Sequence, residues 1–427
     1  MKSLRYLSCC LFAASTLLSS CDQSDPVEEQ LLIPIPELDP ESSYGISEIR
    51  AYSSDQKILV DWRTYSGPID LGPHIPPIMN TRLLMSTSDE ASDYEEVHIG
   101  EVEGADSVEL TELPNGIPHY FKLEIYGFDG QKIGTSQPIC AIPGTLPVEI
   151  LSFQITEPTE AANTNLAWSP DGSEIAFIDI DNSGYKNIHI LNRNTLSLEV
   201  VTKHEAEEVS DVSWSPNGQY LAYTLSATLT SRDADFRIWL LDLMTLETWQ
   251  ISSGPVDFDP EWISDTQLVF AKGSKGPPNI PELMLLNPED GSESVLTQDG
   301  SLYKYVPNVR PGTNEILFSG IRSGTSNYNI YTPSADGGDS ELMLADFWSS
   351  TNPKWLPNSE KIIFSSNRTG ENEIWSMSLP DGTFEQKTRG NVGSSRDVPT
   401  ITRDGKLLAY IELRADYRAF LKVIELD

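Results

Sequence analysis

Few residues in this chain have the type and spacing that chemistry needs. Its repeat region holds two histidines, His189 and His204, and neither belongs to a His-x-x-x-His pair or a similar one. A metal site built on several histidines is therefore not available, and each is expected to be solvated or at the core edge. No G-x-S-x-G elbow occurs anywhere, which removes the usual serine hydrolase architecture. The stretch "DIDNSG" at 179–184 starts like a calcium loop, but its twelfth position is Ile190, where a bidentate glutamate is required. A turn is the better reading. No cofactor is expected, with calcium left as the one ion an acidic chain keeps open.

Polar residues recur at fixed distances before a repeated aromatic motif. Three positions ahead of it stand Asn165, Asp211, Asp259, Val306, Asn352 and Val398. Five ahead stand Asn163, Val209, Asp257, Lys304, Ser350 and Arg396. An Asx side chain at a strand start commonly bonds backbone amides. Lys304, Tyr305, Arg396 and Asp397 fit that explanation less well. With Asp257, Asp259 and Asn352 they make a candidate binding mouth for a carboxylate, a sugar or a peptide terminus.

A repeat must position these residues. "WSPDGSEIAF" begins at Trp168, "WSPNGQYLAY" at Trp214, "WISDTQLVF" at Trp262, "VRPGTNEILF" at Val309, "WLPNSEKIIF" at Trp355 and "ITRDGKLLAY" at Ile401, at intervals of 46, 48, 47, 46 and 46 residues. In "SPDG" the proline presets φ, the Asp bonds its own backbone and the glycine supplies φ > 0. Apolar strands flank that turn, and two more follow, as in "NIHIL" and "LEVVT". Four strands in about 45 residues make a propeller blade, which cannot bury its faces alone.

The sixth unit lacks a fourth strand, because the chain stops at "FLKVIELD". Residues 149–156, "EILSFQIT", end twelve positions before Trp168, as Thr202 stands twelve before Trp214. That segment is expected to pair with the last strand and close the ring. "PKWLPNSEKIIFSSNRTGENEIWSMSLPDG" (353–382) resembles the repeat of TolB-type propellers, and all six units carry the pattern over residues 144–427. The resemblance implies an all-β chain with a six-bladed β-propeller.

Residues 44–143 contain seven short β runs separated by turn signals, the number expected of a sandwich. "LTELPNGIPHYFKLEIYGFDGQ" resembles the E–F corner of a fibronectin type III domain, which implies Tyr120 as the corner tyrosine and Trp62 as a core residue. Ahead of it, 21–43 is an acidic tether with four prolines after Cys21. Residues 1–20 read as an export signal. Lys2 and Arg5 precede the apolar run Leu7–Leu18, too short for a membrane span. "LLSSC" resembles a lipobox, which makes Cys21 the expected site of lipidation and of attachment to a bilayer.

After removal of residues 1–20, 27 basic residues face 64 acidic ones. Such a field repels phosphate backbones and argues against nucleic acid as a partner. The sequence points to a lipid-anchored bacterial envelope protein whose propeller binds a protein or a glycan without catalysis. The alternative is a glycan lyase or hydrolase with a metal-assisted acidic site at the channel mouth, for which Asp257 and Asp259 are the candidate carboxylates. Oligomeric state is not legible.

Overall fold

The computed structural model describes residues 46–426, apart from 65–77, 89–92, 101–104, 128–129, 157–164, 206, 227–234, 276–278, 336–337, 346, 358 and 391–392. Every regular element among them is a β-strand. The chain divides into two compact units, Met1–Pro143 and Gly144–Asp427.

The described residues of the first unit form two antiparallel sheets. Ile46–Ser54 and Ala105–Thr111 flank Lys57–Thr64 in one of them. In the other, Ile78–Ser86 lies between Glu95–Gly100 and His119–Gly127, which also pairs with Lys132–Thr135 and Ile139–Ala141. His119–Gly127 alternates strictly between buried and half-buried positions, as a strand with one face on a core must. Trp62, Phe121 and Leu123 are in that core. Tyr120 points the other way, half-buried, opposite Ser86 and Cys140.

The second unit is propeller-like. Its described residues form six four-stranded antiparallel sheets, of which five run in simple chain order. The first strands are Leu166–Trp168, Glu208–Trp214, Asp257–Ser264, Leu302–Val309, Ser350–Trp355 and Ser395–Ile401. Each packs on the first strand of the next sheet, and the sixth packs on the first. The sixth sheet takes its outer strand from the start of the unit. Glu149–Ile155 pairs with Ala419–Glu425 in the register Ala419↔Ile155, Phe420↔Gln154 and Leu421↔Phe153. The terminal strand is therefore no open edge.

Local chemistry explains why each sheet forms. In "SPDG" and "SPNG", Gly172 and Gly218 have φ of 70° and 78°, a region that glycine enters without steric cost. Asp171 and Asn217 accept the amides two residues on. A hydroxyl ties the outer strand to the third one in four sheets. Thr202, Ser252, Thr297 and Thr388 accept the amides of Ile188, Ile238, Leu283 and Ile374 at 2.8–2.9 Å. Between sheets the cement is apolar. Trp168, Phe177 and Ile175 of the first sheet pack with Ile411, Leu421 and Val423 of the sixth.

Candidate functional site

The six first strands surround the axis, so their side chains decide what the centre can do. Five of them carry a break in register: between Ser210 and Val212, Phe258 and Glu261, Tyr305 and Asn308, Thr351 and Lys354, and Asp397 and Thr400. At each break one residue is left-handed: Asp211 (φ 53°), Asp259 (54°), Val306 (47°), Asn352 (52°) and Val398 (57°). Asx residues tolerate that region, but a β-branched valine there is a true outlier. Pro260, Pro307, Pro353 and Pro399 follow four of these residues directly. A proline needs no ladder partner for its nitrogen and is at home in a bulge.

The bulges turn polar side chains toward neighbouring sheets, where they form a belt. Asn165 Nδ2 donates to Asp211 Oδ1 at 3.2 Å. Asp211 and Asp259 are hydrogen-bonded to each other, and the Val306 amide donates to Asp259 Oδ2 at 2.8 Å. Two residues further on, Glu261 accepts from Ser213 Oγ at 2.9 Å and from Asn308 Nδ2 at 3.0 Å. Opposite, Asn352 Nδ2 donates to Asp397 Oδ1 at 2.8 Å, and Asn372 Nδ2 donates to Asp397 Oδ2 at 2.9 Å.

Burial pushes both carboxyls of the Asp211–Asp259 pair up, and the charge of Asp211 drives Asp259 well above the usual carboxylate range. Two carboxylates in contact cannot both ionise cheaply, so the pair keeps a proton where ordinary aspartates have lost theirs. The Lys354 ammonium opposes this shift only in part.

Of the residues expected at the mouth, Asp259, Asn352, Asp397 and Tyr305 lie on or beside this belt. Tyr305 is half-buried, its ring 5.9 Å from Phe258 and 6.2 Å from Tyr328. Asp257, Lys304 and Arg396 are not surface groups: they are 0%, 0% and 3% exposed. Lys304 Nζ meets Glu282 of the preceding sheet at 2.8 Å and donates to the carbonyls of Asp299 and Leu302. Arg396 bridges Glu373 of the preceding sheet at 3.3 Å and Glu412 of its own at 3.0 Å. Asp257 accepts the Gly254 amide and lies 3.7 Å from Lys272. All three carry charge into buried seams, where pairing is obligatory. Their seams come from packing, and strand counting alone does not reveal them.

Glu261, Asn308 and Lys354 were missed by the sequence reading. All stand one position before the repeat aromatic or its counterpart, and the run of prolines just ahead was the available signal. Elsewhere, Asp181 of "DIDNSG" accepts the amides of Ser183 and Tyr185 and the side chain of Asn187, which makes it a turn. Among the described residues no group of three or more His, Cys, Asp or Glu side chains is placed to hold a metal ion. His189 is buried and stacked on Phe177, with burial pushing its pKa down, and His204 Nε2 lies 3.3 Å from the Tyr223 hydroxyl. Cys21 lies outside the described residues.

Comparison with known proteins gives partial matches. The family model "Eukaryotic translation initiation factor eIF2A" matches residues 134–250, less than half of the chain. An uncharacterized protein of Agrobacterium fabrum is 23% identical over 230 residues, covering 54% of this chain and 74% of its own. The Tol-Pal system protein TolB of Alcanivorax borkumensis is 41% identical over 59 residues, 14% of this chain and 13% of that protein. The chain thus spans only a small part of such TolB relatives. Among solved structures, TolB from Acinetobacter baumannii aligns with a TM-score of 0.44 at 15% identity, covering 80% of this chain and 79% of that one. An oligogalacturonate lyase in complex with manganese aligns with a TM-score of 0.46 at 11% identity, covering 73% and 86%.

Proposed function

We propose that this chain is a lipid-anchored protein of the bacterial cell envelope, and that a six-bladed propeller behind a fibronectin type III-like domain binds a protein or glycan without catalysis. Binding is centred on the channel mouth at Tyr305, Asn352 and Asp397. One observation carries the preference over a lyase or hydrolase. The two cations expected at the mouth, Lys304 and Arg396, are held in buried ion pairs, whereas Tyr305 and Asp397 are only half-buried. An aromatic ring beside fixed amides and a carboxylate is the chemistry of recognition.

Two measurements test this. Membrane fractionation of Cys21→Ser should release the protein or leave it unprocessed; a cleaved variant that still sediments with membranes removes the anchor from the proposal. Affinity capture from envelope extracts and a glycan array should give one reproducible ligand that a Tyr305→Ala/Asp397→Ala variant loses while melting normally. Turnover of a polyuronate by the wild type, with Mn²⁺ or Ca²⁺ supplied, would overturn the non-catalytic reading.

A further inference from the structure

The end of the propeller opposite the mouth carries two leucines that the fold does not call for. Third and fourth strands are joined there by a short turn whose last residue is left-handed. In the third and fifth sheets that residue is glycine, Gly291 (φ 70°) and Gly382 (φ 68°), and its amide bonds the carbonyl of Asn287 or Ser378. The same bond is made in the first two sheets by Leu196 to Asn192 and by Leu246 to Asp242, each with φ 58°. A leucine in this conformation costs free energy that glycine does not.

That cost is not offset by burial. Leu196 is 55% exposed and Leu246 49%, with Met244 between them in sequence and 85% exposed. Trp249, three residues after Leu246 on the outer strand of the second sheet, is 39% exposed, its ring edge-on to Tyr220 at 6.0 Å. Strained and exposed apolar residues at equivalent places in two adjacent sheets mark a surface kept for contact.

We propose that this end is a second interaction surface, and that its occupant is a cationic amphipathic helix of a partner protein. Charge selects the occupant. The two hairpins, 191–200 and 241–250, carry Glu199, Asp242 and Glu247 around the apolar residues. Their one cation, Arg193, is turned back onto the Gly172 carbonyl at 2.7 Å. An acidic rim repels anionic headgroups, and two-fold pairing of two copies would set like charges against each other. A helix with apolar residues every three or four positions and lysines beside them satisfies both features.

The test uses the full chain and a synthetic Leu/Lys amphipathic peptide of roughly 18 residues, about 27 Å of helix, in about 150 mM salt. Its Leu/Glu counterpart is the control. The comparison variant is Leu196→Gly/Met244→Ser/Leu246→Gly. The Leu/Lys peptide should bind wild type about tenfold or more tighter than the variant, the Leu/Glu peptide should not bind, and the variant should melt at the same or a higher temperature. Equal affinity for both chains would overturn the proposal, because the peptide would then be reading acidity at large. A lower melting temperature in the variant would overturn it by giving the leucines to the fold. So would zwitterionic vesicle binding, or a dimer, lost in the variant.

Discussion

Trp168 Nε1 donates to the carbonyl oxygen of Thr400 at 3.2 Å, across 232 positions of sequence. The first sheet thereby bonds to the sixth, and Trp262 repeats the contact between the third and the second through the Ser213 carbonyl at 3.3 Å. The repeat tryptophan is thus a tie to the sheet before it as well as a core residue. Trp168→Phe keeps most of the buried ring and orphans the carbonyl, for a loss of about 1 kcal/mol. Trp168→Ala should cost about 3–5 kcal/mol. Chemical denaturation of the two variants checks this; equal losses would mean that the hydrogen bond, not the ring, carries the contact.

Deleting Glu149–Ile155 removes the outer strand of the sixth sheet and leaves the edge of Ala419–Glu425 unpaired. An exposed apolar edge of that length favours aggregation. The deletion should aggregate on expression, whereas deletion of 22–143 should leave a cooperatively melting propeller. Similar melting temperatures for both would show that this strand does not hold the ring together.

The Asp211–Asp259 pair gives a signed pH dependence. A carboxyl whose folded pKa is raised contributes stability that is full below its unfolded pKa, about 3.9, and is lost as pH rises through the folded one. Asp259→Asn can still accept the Val306 amide and donate to Asp211, without a proton to lose. Wild type and variant should therefore have matching stability near pH 4, and the variant should gain on wild type as pH rises. Melting curves that stay parallel across that range would refute the shared proton.

Arg396 and Glu373 are both wholly buried. Arg396→Met leaves Glu373 with the Thr388 hydroxyl and the Gly390 amide and removes its main countercharge, with Arg389 the weaker one that remains. The loss should be about 3–5 kcal/mol. Burial already pushes Glu373 up despite the arginine, so the loss should shrink as pH is lowered. Arg396→Met/Glu373→Gln should recover part of it. Denaturant titrations at two pH values decide the matter, and a pH-independent loss would argue for packing alone.

Arg368 sits in the turn "SSNRTG" yet is 2% exposed, with its guanidinium 4.2 Å from the Phe384 ring centroid, 4.9 Å from Trp375, 5.3 Å from Phe364 and 5.6 Å from Trp348. Desolvated cation–π contacts are worth about 2 kcal/mol or more. Arg368→Ala should lower stability by at least that, and Arg368→Lys should not restore it, because a compact ammonium cannot stack as a planar guanidinium does. Full rescue by lysine in thermal melts would show that charge alone matters.

The propeller-like plan was legible because its causes are local. A repeat aromatic or its counterpart every 46–48 residues, followed by a turn built from Pro, Asx or Gly, and period-two apolar runs define strands before anything packs. "EILSFQIT" stands as far ahead of Trp168 as the outer strands stand ahead of later repeats, and it pairs with Ala419–Glu425. The centre of the ring was not legible in the same way. Counting by twos from the repeat aromatic assumes an unbroken ladder, and each left-handed residue from Asp211 to Val398 breaks it. Beyond a bulge the faces exchange. That is why Lys304 and Arg396, conspicuous in sequence, lie in buried ion pairs with the preceding sheet, while Asp211 and Glu261 bond across to neighbouring first strands. Which carboxylate meets which cation is set by the neighbouring sheet, as Lys304 meets Glu282 and Arg396 meets Glu373, and side chains of separate sheets face one another only once those sheets have packed.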